Sequence, residues 1–327
     1  MRLILYFFTA FLCSLSFSGL IFWVKNRFEK PVLFRWGGAA IITSFVFSVL
    51  INPEIEITRP LKFLLAALLP LLIFGLWDDW KNLSWKKQLS FQFFLAVFLL
   101  AGGFGIKVIS LPWGGVWEIS FWFWGALIFI GWLLALINSV NWLDGKDGLL
   151  GVLSFFGAAS VFLVSLREEV NQPALAILSV LFLGSVLGFC VFNFPPAKLE
   201  AGTSGSYFAG LILTGLAFLA GTKIMTTLLI LILPLLDAGR VILERFREGK
   251  SIFSRDEKKR HLHYLLAEIG WSERKIIFFY GLFWLLALWP ELFLETRKVK
   301  LFWLLGEGLA ISYFFIWVKR RLPRKIS

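Results

Sequence analysis

Asn138, Asn141, Asp144 and Asp147 recur every three residues in the segment NSVNWLDGKDG, residues 138–148. Neighbouring members of such a series lie on adjacent faces of a helix, although a long series drifts around it. Gly145 and Gly148 permit a break and the close approach of a ligand. Amides can recognise a base or a sugar, and carboxylates can hold a metal or a ribose hydroxyl. The plain alternative is a polar turn between helices. Regular spacing at the edge of two apolar runs favours a site, since ionisable residues at such depth are usually functional. Asp78 and Asp79 form a second group. Adjacent carboxylates repel, so at least one gains from a cation, and Mg²⁺ takes carboxylate and phosphate oxygens. Alone, such a pair reads more simply as two solvated acids ending a helix.

Two further segments carry polar chemistry. FNFPPAKLEAGTSGS, residues 192–206, breaks at Pro-Pro and leads through a Gly- and Ser-rich turn into an apolar run. A helix start with free N–H groups is an anion site, and Lys198 adds charge. An ordinary re-entry loop would look similar. The loop 245–264 holds both histidines of the chain, His261 and His263, among Arg245, Arg247, Lys250, Arg255, Lys258, Lys259 and Arg260. Arg offers bidentate contacts to a polyphosphate, and His donates or accepts a proton near neutral pH. A positively charged cytoplasmic loop with incidental histidines is the simpler reading, and the clustering of both histidines here argues against it.

These segments need elements to position them. The 327 residues are 58% hydrophobic and 17% charged, with a mean hydropathy of +0.79. Soluble domains are nearer a quarter charged, so the composition indicates a membrane protein. Eleven spans are expected, near 3–24, 36–51, 60–77, 88–104, 121–138, 148–166, 173–192, 205–221, 223–243, 275–293 and 300–318. The first run is too long for a signal-peptide core of ~7–15 residues and lacks a small-x-small cleavage site. Cys13 and Cys190 sit far apart in apolar runs and suggest neither a disulfide framework nor a metal site. The formal charge of +12 fits cytoplasmic loops beside anionic lipid better than a nucleic-acid partner. With the N-terminus outside and the C-terminus cytoplasmic, 24 of the 33 Lys and Arg residues fall on the cytoplasmic side. These include Lys87 and, near the C-terminus, Arg324 and Lys325. All four polar segments then share that face. The expected architecture is all-α, one integral membrane domain over residues 1–327, without internal repeats. The chemistry that suits it is phosphoryl transfer between a soluble nucleotide substrate and a lipid phosphate, in which positioning and charge neutralisation do most of the work.

The motifs also resemble a known family, the polyprenyl-phosphate N-acetylhexosamine-1-phosphate transferases (glycosyltransferase family 4), over about residues 30–270. GLWDDWKNLSWKKQLSFQ is similar to the family's aspartate motif and Lys-rich helix start, and NSVNWLDGKDGLLG to its Asn-x-x-Asn-x-x-Asp-Gly-x-Asp-Gly element. FNFPPAKLEAGTSGS matches its Phe-Asn-x-x-Pro-Ala motif, LPLLDAGRVILER its Pro-x-x-Asp span with Asp237, and RHLHYLL its His-x-His loop. The resemblance implies transfer of a sugar-1-phosphate from a UDP-sugar to undecaprenyl phosphate, with Mg²⁺ and release of UMP. It also implies a bacterial plasma membrane, and family members are often homodimers. Asp78 and Asp79 would then serve the metal and deprotonate the lipid phosphate. Asn138, Asn141, Asp144 and Asp147 would line the nucleotide and metal site. His261, His263 and the basic loop, Arg247 included, would hold diphosphate and sugar. Lys87, Asn193, Lys198 and Ser206 would contact substrate. The His-Leu-His loop and eleven spans look more like the branch using simple UDP-N-acetylhexosamines than the pentapeptide branch. The chain departs from the pattern in the slightly longer RDEKKRHLH segment and at three positions. Thr203 stands where the family has an aspartate that binds Mg²⁺, Glu200 where an aromatic is usual, and Tyr264 where many members have another His. Thr203 opens a second reading, a family-derived binder of lipid phosphate or nucleotide without turnover. A transporter would need ionisable residues at mid-span, whereas the acids here cluster at one interface.

Overall fold

A computed structural model describes residues 1–111, 113–168, 170–220, 224–251, 260–293 and 296–322. Helices dominate because hydrocarbon offers no partner to backbone N–H and C=O groups, so each apolar run must satisfy its own. The helices are α1 (Arg2–Arg27), α2 (Gly37–Leu50), α3 (Arg59–Lys81), α4 (Trp85–Ala101), α5 (Trp122–Leu143), α6 (Leu149–Ser165), α7 (Pro173–Asn193), α8 (Gly202–Leu219), α9 (Ile224–Arg247), α10 (Leu262–Glu268), α11 (Glu273–Phe293) and α12 (Arg297–Arg321). A 3-10 helix, Pro31–Arg35, joins α1 to α2. Each of the eleven expected runs is a helix. Among the described residues six, α1, α3, α5, α7, α8 and most of α12, are long and apolar enough to cross a membrane. By these helices the chain is a multi-pass membrane protein.

Three features differ from the sequence reading. Strands β1 (Val108–Ser110) and β2 (Val116–Glu118) pair as an antiparallel hairpin, with Ile109 opposite Trp117, in what reads as a loop. Exposed Trp113, Trp117, Trp122 and Trp124 surround it, the amphipathic rings that gather at a membrane surface. The basic loop contains the short helix α10. Residues 202–206 form the first turn of α8 rather than a turn before it.

Helix α8 is the centre of the packing. Every residue from Gly202 to Ala217 is buried, so its small side chains face other helices rather than lipid. Small residues let helix backbones approach closely, which is how apolar helices gain contact without a hydrophobic drive between them. A Cβ on Gly38 of α2 would lie 2.2 Å from the Gly205 nitrogen, and one on Gly75 of α3 would lie 2.4 Å from the Ser204 Cα. On the far side, the rings of Phe45, Phe182 and Phe208 lock α2, α7 and α8 with centroids 5.5–6.3 Å apart. The Gly75 contact lies one turn before Asp78 and Asp79 and sets where they meet α8. Gly75→Ala is expected to cost about 1–3 kcal/mol by overpacking against backbone. A lowered melting temperature of the detergent-solubilised protein checks this. An unchanged one would mean α3 is free to shift.

Candidate active site

The end of α3 meets the start of α8 through the two aspartates. Both are buried. Asp79 Oδ1 accepts the Thr203 N–H at 2.8 Å and faces Arg35 Nη2 at 3.2 Å. A carboxylate from α3 therefore occupies the N-terminus of α8, a position that favours negative charge. The anion site expected there is filled by the protein itself. Asp78 Oδ1 accepts the Leu83 N–H at 2.8 Å and Gln88 Nε2 at 2.9 Å, and its Oδ2 accepts the Thr203 hydroxyl at 2.6 Å. The departure at position 203 thus places a hydroxyl donor on Asp78. Arg35 is aligned because residues 34–38 pair with residues 200–201: Gly37 N–H donates to Glu200 O and Gly38 N–H to Ala201 O, each at 2.9 Å.

The regular Asn/Asp series is split by the end of α5 at Leu143. Asn138 and Asn141 remain on the helix, Asp144 follows it, and Asp147 lies in the turn before α6. Gly148 makes this turn at φ +77°, a conformation that suits glycine. Asn138 and Gln92 exchange amide hydrogen bonds at 2.6 and 3.2 Å, and Gln92 also donates to Tyr207 OH. Asn141 donates to Ser206 Oγ at 2.8 Å. Asp147 Oδ2 accepts the Ala197 N–H, and Asn193 bridges the Gly148 N–H to Leu199 O. The amides that the spacing suggested for ligand recognition therefore also brace the walls.

The histidine segment completes the site. His261 Nδ1 lies 2.8 Å from Asp237 Oδ2, and its ring lies 5.5 Å from that of Trp142. Arg245, only 3% exposed, places its guanidinium 5.9 Å from the Trp142 ring. His263 is fully buried, and neither ring nitrogen has a hydrogen-bond partner among the described residues. Burial, opposed by Asp237 and reinforced by Lys146, pushes its imidazole down to about 3. A Cβ on Gly145 would lie 2.5 Å from both His263 Nε2 and Tyr264 OH, so this glycine admits the histidine segment against the α5 end.

These walls enclose one cavity of about 350 Å³, within the range of small-molecule sites. Of the expected residues, Asp78, Asn138, Asn141, Asp144, Asp147, Asn193, Thr203 and His261 line it. Six others do not. Asp79 sits behind Asp78, His263 beneath Gly145, and Ser206 behind Asn141. Lys87 lies over the Trp77 ring, Lys198 over Phe22, and Arg247 is exposed at the end of α9. Arg255, Lys258, Lys259, Arg324 and Lys325 lie outside the described residues. The cavity also gathers Arg35, Gln88, Trp142, Lys146, Arg245 and Tyr264. Nothing in the sequence separates Arg35 and Arg245 from the other basic residues of the loops. Asp237, an acid inside an apolar run, carried the sequence signal of a functional residue.

Among the described residues no three His, Cys, Asp or Glu side chains form a ready metal cage. Asp78 and Asp144 nevertheless share the cavity wall with the Thr203 hydroxyl. Two carboxylates and a hard hydroxyl oxygen fit Mg²⁺, which commonly binds one or two carboxylates plus substrate phosphates and water.

Helix ends thus bring acids, guanidinium groups and an imidazole together around a polar cavity. The glycosyl transferase family 4 model matches residues 61–221. A phospho-N-acetylmuramoyl-pentapeptide-transferase of Limosilactobacillus reuteri is 30% identical, over 81% of this chain and 82% of its own. A probable undecaprenyl-phosphate N-acetylglucosaminyl 1-phosphate transferase of Bacillus subtilis is 28% identical, over 76% of this chain and 70% of its own. A decaprenyl-phosphate N-acetylglucosaminephosphotransferase of Mycobacterium leprae is 32% identical, over 62% of this chain and 56% of its own. The chain belongs to glycosyl transferase family 4.

Buried neutral His263 makes stability depend on pH. Its folded value is depressed below the unfolded value of about 6.5, so below that pH the unfolded state takes up a proton that the folded state refuses. Its contribution is complete above pH 6.5 and drains as pH falls toward 3. At pH 5 the loss is about 2 kcal/mol. The melting temperature is expected to fall between pH 7.5 and 5, and His263→Phe to flatten that slope. An equal slope in the variant would remove His263 as the cause.

Proposed function

We propose that this protein transfers an N-acetylhexosamine-1-phosphate from a UDP-linked donor to a polyprenyl phosphate on the cytoplasmic face of the membrane, releasing UMP. The observation that carries this reading is the meeting of Asp78, Asp144, Arg35, Arg245 and His261 in one cavity at the helix ends. The names of the relatives agree with it: they act on undecaprenyl or decaprenyl phosphate, or transfer phospho-N-acetylmuramoyl-pentapeptide. The excess of Lys and Arg on the same side as the polar segments supports the cytoplasmic assignment, with the N-terminus outside and the C-terminus inside.

In the reaction, an oxygen of the lipid phosphate attacks the sugar-linked phosphorus of the donor. A P–O bond forms, the phosphoanhydride bond breaks, and UMP leaves with the electron pair. Asp78 and Asp144 would hold Mg²⁺, which supplies charge neutralisation for the diphosphate. Arg35 and Arg245 face the same charge as guanidinium donors, with geometry suited to phosphate oxygens. Lys146 adds a point charge. The Trp142 ring offers a flat face at the wall, and Asn138 and Asn141, held by Gln92 and Ser206, present fixed amide edges. The His-Leu-His segment supports a simple UDP-N-acetylhexosamine as donor over a pentapeptide-bearing one.

A second reading, a chain that binds these ligands without turnover, draws on position 203. There a hydroxyl donates to Asp78, and both aspartates have partners within the protein. The deciding experiment is UMP release by purified protein in detergent with undecaprenyl phosphate. UDP-N-acetylglucosamine and UDP-N-acetylmuramoyl-pentapeptide are compared as donors, with Mg²⁺ present or chelated. Transfer is expected with the simple donor, stopped by chelation and lowered about 100-fold or more by Asp78→Asn. Silence of the wild type with both donors, joined to turnover in Thr203→Asp, would establish the binder instead.

A further inference from the structure

Asp237 and His261 meet from different parts of the chain. Asp237 lies on α9 within an apolar run, and His261 immediately precedes α10. Both side chains are buried, Asp237 to 6% exposure and His261 to 3%. Besides the 2.8 Å contact to His261 Nδ1, Asp237 accepts the Leu262 N–H at 3.1 and 3.2 Å and Arg240 Nη2 at 2.9 Å. A carboxylate facing a guanidinium and a backbone N–H is ionised and acts only as an acceptor. Nδ1 must then be the donor, so the proton sits on Nδ1. The remaining ring nitrogen, Nε2, is the one available to the cavity that His261 lines. The ring has two aromatic neighbours, Trp142 at 5.5 Å and the parallel ring of His263 at 6.0 Å.

Asp237 is itself held. Arg240 Nη1 reaches both oxygens of Glu244 at 3.1 Å, and the Arg240 guanidinium lies 4.7 Å from the Phe315 ring on α12. Lys319, also on α12, pairs with Glu244, and Arg240 donates to Arg260 O. A continuous chain of charges runs from the last helix to the imidazole.

We propose that Asp237 is a positioning residue for the transfer: it fixes His261 as the Nδ1–H tautomer with Nε2 presented to the cavity, and the Arg240–Glu244–Lys319 chain holds Asp237 in place. This rests on the reading of the cavity as the site of phosphoryl transfer. So held, Nε2 takes the proton of the acceptor's monoester phosphate as that oxygen attacks, and Asp237 balances the charge of the imidazolium. The proton leaves the P–OH group and arrives on Nε2, and no other bond changes in that transfer.

The chain has two histidines, so ¹⁵N-histidine labelling of the detergent-purified protein yields two imidazoles, assigned with His263→Phe. His261 is expected to show a protonated Nδ1 and a bare Nε2, and Asp237→Asn to lose that pattern because an amide donates where a carboxylate accepted. UMP release is expected to fall about 100-fold or more in kcat with KM for donor and acceptor little changed, as for other imidazoles left in the wrong tautomer. Asp237→Glu restores part of it. The double variant Asp237→Asn, His261→Gln loses no more than His261→Gln alone, because Asp237 acts through the imidazole. A wild-type His261 protonated on Nε2 alone overturns the proposal without any variant. So do an Asp237→Asn protein with normal kcat, and losses that add fully in the double variant, which would make Asp237 a cap for α10 and nothing more. A wild type that releases no UMP sinks the transfer reading, while the nitrogen signals still decide the pairing.

Discussion

The rest of the site depends on a buried carboxylate at a helix start. Asp79 leaves α3 and takes the N–H of Thr203 at the beginning of α8, with Arg35 beside it. Removing an ion from water costs several kcal/mol unless opposite charge and donors replace the solvent. Here the N-terminus of α8 and the Arg35 guanidinium supply a donor and an opposite charge to Oδ1, and three chain segments must meet for this to happen. The segment around Arg35 is tied to residues 200–201 by backbone hydrogen bonds, and α3 is pressed to α8 at Gly75. The junction therefore fixes Asp78, its neighbour, at the cavity wall. Asp79 is the anchor and Asp78 the group that faces the cavity.

Thr203 changes the electrostatics of this junction. A third carboxylate there would stand against two others at hydrogen-bond distance, and like charges so close cannot all remain ionised without a cation. The hydroxyl removes that repulsion and donates to Asp78 instead. Among the described residues the carboxylates at the cavity are accompanied by Arg35, Lys146 and Arg245 rather than by a three-acid cage. The balance is suited to ligands that bring their own negative charge, which phosphates do.

The histidine segment reaches the cavity by a different route. It is carried by α9 and the short α10, and its charged supports extend to α12. The two halves of the site thus rest on separate helix packings: α2, α3 and α8 for the aspartates, α9 and α12 for the imidazole. The end of α5 lies between them, where Gly145 lets His263 and Tyr264 come close.

By itself the sequence determined the class of the protein and the inventory of its chemistry. The eleven apolar runs are helical among the described residues, and six of these helices are long and apolar enough to cross a membrane, because the hydropathy of ~20 consecutive residues is a local property. The aspartates, the Asn/Asp series and the His-Leu-His segment were legible as residue types that apolar runs do not otherwise hold. Tertiary structure alone decided their division of labour. Asp78 and Asp79 are indistinguishable in sequence, yet successive side chains on a helix point about 100° apart, so one faces the cavity and one faces α8. The Asn/Asp spacing read as a single helical series is cut at Leu143, since Gly145 and Gly148 serve the turn that admits the histidine segment. Residues 202–206, which read as a phosphate-type turn, are helix, and their small side chains serve close packing. Arg35 and Arg245 come to the cavity from segments far apart in the chain, and a meeting with partners that distant is not encoded in any local pattern.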